Sequence, residues 1–209
     1  MPVTTVRAGA AARLPLERLE AALRGRQGVR PASRWPAPEA AVAVLLWGRA
    51  EAPSVVLMRR SMHVNRYKGH VAFPGGSRES EDDSLEATAA RETVEELGVA
   101  RSDFEFWGEL DTVATLDGMP VTPYLGRLRP DARMRPDPAE VGVILDVDVA
   151  QMIDRAAERD ETRLVDGRLI SRPSYSYNGN VVFGATARIL SQLIPLARGA
   201  LEETGARVE

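Results

Sequence analysis

Glu92 stands three and four positions before Glu95 and Glu96 in the stretch "ARETVEELGV". On an α-helix turning about 100° per residue, these three carboxylates fall within an arc of about 100°, with Thr88 on the same side. Ala89, Ala90, Thr93, Val94 and Leu97 occupy the adjoining arc, where they can pack on a sheet. Like charges three or four apart each cost a few tenths of a kcal/mol, and Arg91 alone offers compensation in the last two turns. Such a surface is either a solvated acidic face or a seat for a divalent cation. Carboxylate oxygens suit Mg²⁺ or Mn²⁺, and Mg²⁺ typically takes one or two carboxylates while substrate phosphates complete its shell. A Glu-rich helix taken alone favours the solvated face.

The preceding segment shifts that balance. Between Ser54 and Arg78 lie five basic residues, Arg59, Arg60, Arg66, Lys68 and Arg78, and no acid. Between Glu79 and Glu96 lie eight acids and one arginine. Segregation of this kind suits a polyanionic ligand carrying a metal: basic groups take the phosphate oxygens and acidic groups take the cation. Gly75 and Gly76 sit at the junction, where a residue without Cβ lets backbone approach a ligand or metal closely.

Gly76, then fourteen residues, then Arg91-Glu92-Thr93-Val94-Glu95-Glu96-Leu97-Gly98-Val99 resembles the Nudix box, the loop and helix signature of hydrolases acting on nucleoside diphosphates linked to another moiety. The general box sets its Arg-Glu pair one residue nearer the glycine and has Glu where this chain has Asp82 or Asp83. The branch of coenzyme A pyrophosphatases shares the longer spacing and an upstream signature similar to "VLMRRSMHVNRYKGHVAFPGG", residues 56–76. "GMPVTPYLG" and "YNGNVVFGATARIL" also resemble later segments of that branch, so the likeness runs from about Val42 to Leu190. Three positions depart from it: Asn65 replaces a usual Arg, with Arg66 following; Thr93 takes a usually small or apolar place; Phe183 takes a place often held by Trp. These departures bear on substrate choice and leave the glutamates untouched.

The resemblance implies a Mg²⁺- or Mn²⁺-dependent hydrolase of a small-molecule nucleotide. Glu95 and Glu96 become direct metal ligands, the Gly75 or Gly76 carbonyl a contributor, and Glu92 a further ligand or the group that orients or deprotonates water. Glu140, in "RPDPAEVG", is a second candidate base or ligand. Arg59, Arg60 and Arg66 become candidates for phosphate contacts, with Phe73, Gly75 and Gly76 beside them on the substrate side. Arg91 is assigned to locking the loop through Asp82 or Asp83. Coenzyme A or its thioesters lead as substrate. ADP-ribose, NADH or another dinucleotide, a nucleoside triphosphate, or nucleotide sensing without hydrolysis are the alternatives, and a homodimer is expected by analogy. An isoprenoid diphosphate isomerase of the same superfamily depends on a cysteine, and this chain has none. His63 and His70, seven apart with no third ligand nearby, are assigned to structure, and Tyr175 and Tyr177, alternating onto one strand face, to core packing.

The elements that must position these groups are legible in outline. Leu16, Leu19 and Leu23 predict an amphipathic helix over 14–24, ended by Gly25. Strands are expected over Ala41–Trp47, Val55–Arg59 and "HVAF", with Gly48 and Pro53 in the turn between the first two and Pro74-Gly75-Gly76 ending the third. Asp83 is the expected N-cap of the acidic helix, with Glu86 at its third position and Gly98 at its end. Strands 104–115 and 121–128 flank Asp117-Gly118, a hairpin signal; "VGVILDV" is a further strand and "VAQMIDRAAER" a helix. Asp166-Gly167 and Asn178-Gly179 mark two more tight turns. "ATARILSQLIPLARG" predicts a last helix, interrupted or kinked at Pro195. This pattern specifies an α/β or α+β fold, a mixed β-sheet sandwiched between α-helices, without the βαβ alternation of a dinucleotide-binding fold. The expected boundaries are an N-terminal helix and loop extension over 1–38, a hydrolase domain over 39–199 and a tail over 200–209.

Composition sets the outer bounds. With 209 residues and 44% hydrophobic content, the chain can bury one good core without staples. A net charge of -3 provides no general field for nucleic acid or anionic membrane. The absence of cysteine removes disulfides, thiolate nucleophiles and cysteine metal sites. No apolar run has signal-peptide or membrane-spanning length, so the expectation is a cytoplasmic protein with neither nucleic acid nor membrane as partner.

Overall fold

The computed structural model describes residues 6–7, 16–30, 39–49, 52–154, 159–165 and 168–202. In chain order the elements are β1 (Val6–Arg7), α1 (Leu16–Leu23), β2 (Ala40–Arg49), β3 (Ala52–Arg60), β4 (Val71–Ala72), β5 (Gly75–Ser77), α2 (Leu85–Leu97), a 3₁₀ turn (Arg101–Asp103), β6 (Phe104–Glu109), β7 (Val113–Ala114), β8 (Pro120–Leu128), β9 (Val141–Asp148), α3 (Val149–Asp154), β10 (Arg159–Val165), β11 (Arg168–Tyr177), β12 (Asn180–Val182) and α4 (Gly184–Glu202).

The main sheet runs β1-β9-β3-β2-β8-β6, with β4 added to β3, β5 to β2 and β7 to β8. It is mixed: β2 lies parallel to β8 and antiparallel to β3, while β6 and β9 run antiparallel to their neighbours β8 and β3. The central strands are buried on both faces, which is why they read as continuous apolar runs. Alternation still sorts their side chains. Val44, Leu46, Val55 and Leu57 join a core with α1, α3 and α4, whereas Ala43, Leu45, Val56 and Met58 join a second core with Ala90 and Leu97 of α2. Thus the sheet lies between α2 on one face and three helices on the other, the expected mixed sandwich. The helix expected in the N-terminal extension belongs to this packing, since Leu16, Leu19 and Leu23 are buried in the larger core.

Several boundaries differ from expectation. Gly48 and Pro53 are paired across β2 and β3 instead of forming their turn; the connection narrows to residues 50 and 51, outside the described residues. Gly75 and Gly76 do not end the sheet. They form β5 against Val42 and Ala41 at the start of β2, because glycine backbone can lie where a side chain would collide: a Cβ on Gly75 would stand 2.3 Å from the Ala41 carbonyl oxygen. The cap of α2 is Ser84, whose hydroxyl accepts from Ala87 N at 3.1 Å, one residue beyond Asp83. Burial of Asp82 fixes that register. Gly98 closes the helix at φ 63° as expected.

The helix expected over 149–159 ends earlier, since Arg159 already begins β10; residues 155–158 and the turn at Asp166-Gly167 lie outside the described residues. Asn178 and Gly179, with φ of 47° and 77°, make the anticipated tight turn from β11 to β12. Helix α4 continues through Pro195 to Glu202, and residues 203–209 of the expected tail lie outside the described residues. Tyr175 and Tyr177 stack at 6.4 Å and are buried in the larger core with α4.

Candidate active site

Helix α2 and strand β5 meet along the acidic side of the helix. Asp82 and Thr88 anchor the approach: Asp82, 7% exposed, accepts from the Glu79 amide and the Thr88 hydroxyl, each at 2.9 Å. Arg91 grips the same carboxylate with Nε and Nη2, both at 3.1 Å, and Nη2 also donates to the Ser77 carbonyl oxygen at 3.2 Å. This bidentate arginine, with the other two donors, holds the Asp82 carboxyl down at about 2 despite its burial. Loop 77–83 is thereby locked to the helix, through Asp82 and not Asp83.

Arg91 has one nitrogen left. Its Nη1 donates to Glu92 Oε1 at 3.0 Å and Glu95 Oε2 at 3.1 Å. Glu96 faces inward. Its side chain is 1% exposed, against 14% for Glu92 and 54% for Glu95. One oxygen accepts from the Gly75 amide at 2.8 Å and the other from Arg60 Nη1 at 3.1 Å. Burial nevertheless pushes the Glu96 carboxyl up to about 8; the Gly75 amide and Arg60 oppose the rise, and the charges of Glu92 and Glu140 add to it. Burial raises Glu92 as well, against the pull of Arg91.

Glu92, Glu95, Glu96 and Glu140 line one end of a cleft of about 450 Å³, together with Arg60, Gly75 and Gly76. Of the other residues singled out in the sequence, Arg66 lies at the cleft mouth, 71% exposed and paired with Asp117, and Phe73 lines the wall while its side chain is buried in the larger core. Arg59 is exposed and is not brought to the cleft. His63 is exposed, with its amide on the Ser61 hydroxyl, whereas His70 lines the cleft edge-on to Phe183.

The donor set fits a divalent ion in chemistry: several carboxylates, one of them buried and incompletely neutralised, in a cleft open to solvent. A Cβ on Gly76 would lie 2.2 Å from Glu92 Oε1, so the backbone here is reserved for close approach by that carboxylate. Among the described residues no three acidic or histidine side chains converge into a ready cage. Arg60 and Arg91 hold the glutamates in their present directions.

Sequence reasoning missed the Arg60 to Glu96 pair and the Gly75 amide on Glu96, because both join segments 21 or more positions apart. It also missed the bond from the Tyr67 hydroxyl to Asp117, which joins positions 50 apart.

A protein-family profile described as the NUDIX domain matches residues 37–165. The Nudix hydrolase NudL of Escherichia coli (strain SMS-3-5 / SECEC) is 33% identical over 157 residues, covering 74% of this chain and 80% of its own length. NudL of Photorhabdus laumondii is 32% identical over 141 residues, covering 68% of this chain and 75% of that protein. Among solved structures, the Nudix hydrolase RenU of M. Smegmatis aligns with 84% of this chain and 91% of its own, at a TM-score of 0.50 and 19% identity, a likeness of fold.

Proposed function

Since the chain belongs to the Nudix family and is a hydrolase of the pyrophosphatase type, we propose that it cleaves the diphosphate of coenzyme A or an acyl-coenzyme A, giving 3′,5′-ADP and a 4′-phosphopantetheine product. The observation carrying this reading is that residues of segment 56–76, the stretch resembling the coenzyme A branch, line the cleft with the glutamates, and that two of them, Arg60 and Gly75, bond Glu96. The hydrolytic unit is taken as residues 39–199, working as a homodimer.

In this reading Glu95 and Glu96 hold a divalent cation, Mg²⁺ or Mn²⁺, with Glu92 and the Gly76 carbonyl as further ligands. When bound, such an ion neutralises the bridging phosphates and lowers the pKa of water. Glu92 or Glu140 accepts the proton of the attacking water; the water oxygen bonds to phosphorus as the P–O–P bridge breaks, and the leaving phosphate oxygen departs as an anion. Arg60 takes phosphate oxygens, with Phe73, Gly75 and Gly76 shaping the wall beside it; Arg66, already paired with Asp117, and Arg59, at an exposed strand end, would each have to move to join it. Three glutamates retained on one helix side support catalysis over nucleotide sensing alone.

A second reading keeps the chemistry and changes the substrate to ADP-ribose, NADH or a nucleoside triphosphate. Asn65, exposed in the loop between β3 and β4, favours it by departing from the branch's pattern. The test incubates the protein with Mg²⁺ or Mn²⁺ and each of coenzyme A, acyl-coenzyme A, ADP-ribose, NADH and nucleoside triphosphates, and identifies products by mass. Coenzyme A must give the highest kcat/KM; a higher value for another substrate selects the second reading.

A further inference from the structure

Two loops that never meet in sequence are tied across the cleft mouth by one carboxylate. Asp117, in the loop between β7 and β8, accepts from Arg66 Nη2 at 2.7 Å and from the Tyr67 hydroxyl at 2.9 Å. Thr115 Oγ1 donates to the same carboxylate at 2.6 Å and itself accepts from the Met119 amide, so the acceptor is held by its own hairpin. On the opposite side, loop 61–69 is pinned at its base, where the Arg60 amide donates to His70 O at 2.9 Å and the Gly69 amide to Arg60 O at 3.2 Å.

Tyr67 reaches Asp117 at a conformational cost. Its φ of 56° is in the left-handed region that bulky residues avoid, and such strain persists only where surrounding contacts enforce it. Those contacts are the His70 amide on the Tyr67 carbonyl oxygen at 3.1 Å, the Asp117 bond, the Arg66 guanidinium 5.5 Å above its ring and the His70 ring at 5.6 Å. His70 in turn meets Phe183 edge-on at 4.7 Å. Core packing does not explain the arrangement, because Asp117 and Arg66 are exposed and Tyr67 is only half-buried. What the bonds join is the two walls of the cleft: Tyr67 and His70 line it from one loop, Leu116 and Met119 from the other.

We propose that the Tyr67 to Asp117 clasp is a specificity element, setting the width of an aromatic and apolar outer compartment that receives the organic arm attached to the diphosphate. This inference rests on the diphosphate-hydrolase reading of the same cleft. The glutamate end carries the charge chemistry; at the mouth, Arg66 is already matched by Asp117, so the compartment suits a slender, largely uncharged arm rather than another phosphate.

The test compares wild type with Tyr67→Phe and Asp117→Ala by steady-state kinetics on coenzyme A, a bulky acyl-coenzyme A and ADP-ribose, and by calorimetric Kd for coenzyme A in chelator. Melting midpoints should stay within about 4 °C, since exposed pairs contribute little to stability. The expected result is a KM for coenzyme A raised about tenfold in Asp117→Ala, a smaller rise in Tyr67→Phe, kcat within about twofold, and weaker discrimination against the bulky arm. Unchanged KM and substrate ranking overturn the clasp, as does a loss of kcat that merely follows a lowered melting midpoint. If wild type hydrolyses none of the panel, the hydrolytic reading fails by itself. The calorimetric Kd then decides the clasp: a weaker Kd in Asp117→Ala sustains it, and an equal Kd or no wild-type binding removes it.

Discussion

Arg60 donates across 3.1 Å to Glu96, a carboxylate supplied by a different layer of the fold and 1% exposed. The pair joins the end of a central strand to the last turn of the acidic helix, and it does so in the cleft where phosphate chemistry is proposed. Burial raises the Glu96 carboxyl to about 8 despite the Gly75 amide and Arg60, so its proton is held well above the usual carboxylate range.

The sign of the resulting pH effect follows from linkage. A carboxyl raised in the folded state binds its proton more tightly there, so its contribution is fully present below the unfolded value near 4.5 and is lost as pH rises through about 8. In chelator, the denaturant midpoint of wild type should fall relative to Glu96→Gln between pH 5 and 8.5, and excess Mg²⁺ should reverse the fall. Parallel profiles for the two proteins would refute the assignment.

Arg60→Gln should be more harmful when Glu96 is ionised. Stripping a buried carboxylate of its counter-charge costs on the order of 3 kcal/mol, whereas a neutral acid loses about one ordinary hydrogen bond, roughly 1 kcal/mol. Urea denaturation in chelator at pH 6 and pH 9 measures both values; an equal loss at the two pH values contradicts the pairing.

Asp82 has the opposite dependence. Its carboxyl is lowered to about 2, so its stabilisation is present above the unfolded value near 3.8 and disappears as pH falls through 2. Asp82→Ala should lose about 2–4 kcal/mol at pH 7, because Arg91 and Thr88 lose their buried acceptor. The gap from wild type should shrink between pH 4 and 2, as read by urea midpoints.

The neighbouring glycines should separate fold from activity. A Cβ on Gly75 meets backbone at 2.3 Å, while a Cβ on Gly76 meets the far end of the Glu92 side chain at 2.2 Å. Gly75→Ala should lower stability by about 2 kcal/mol or more. Gly76→Ala should keep its melting midpoint within a few degrees and lose at least about tenfold in kcat by displacing Glu92. Retained activity in a stable Gly76→Ala would remove Glu92 from the chemistry.

Glu95→Gln and Glu96→Gln should each lower kcat at least about a hundredfold, with circular dichroism unchanged, since proposed metal ligands outrank the outer contacts whose loss costs about 10–100-fold. Excess EDTA should have the same effect on wild type. Near-normal turnover in both variants would leave Glu95 an ordinary surface acid and Glu96 a buried structural carboxyl.

Helix α2, its glutamate side and its Gly98 stop were readable from the chain because helical periodicity and capping act within one or two turns. The sandwich was legible from the order of strands and helices and from two-residue turns that imply antiparallel pairing, signals that are equally local. The cap at Ser84 instead of Asp83, and strand β5 formed by the two glycines, were decided by long-range fit: Asp82 buried under Arg91, and backbone pressed against Ala41 and Val42. Sequence also ranked Glu95 and Glu96 together. Only folding made one 54% exposed and the other 1% exposed, gave Glu96 an arginine 36 positions away, and tied Tyr67 to an aspartate 50 positions away. Spacing along the chain determines which residues share a helix face, but burial and counter-charge depend on what the rest of the chain packs against that face.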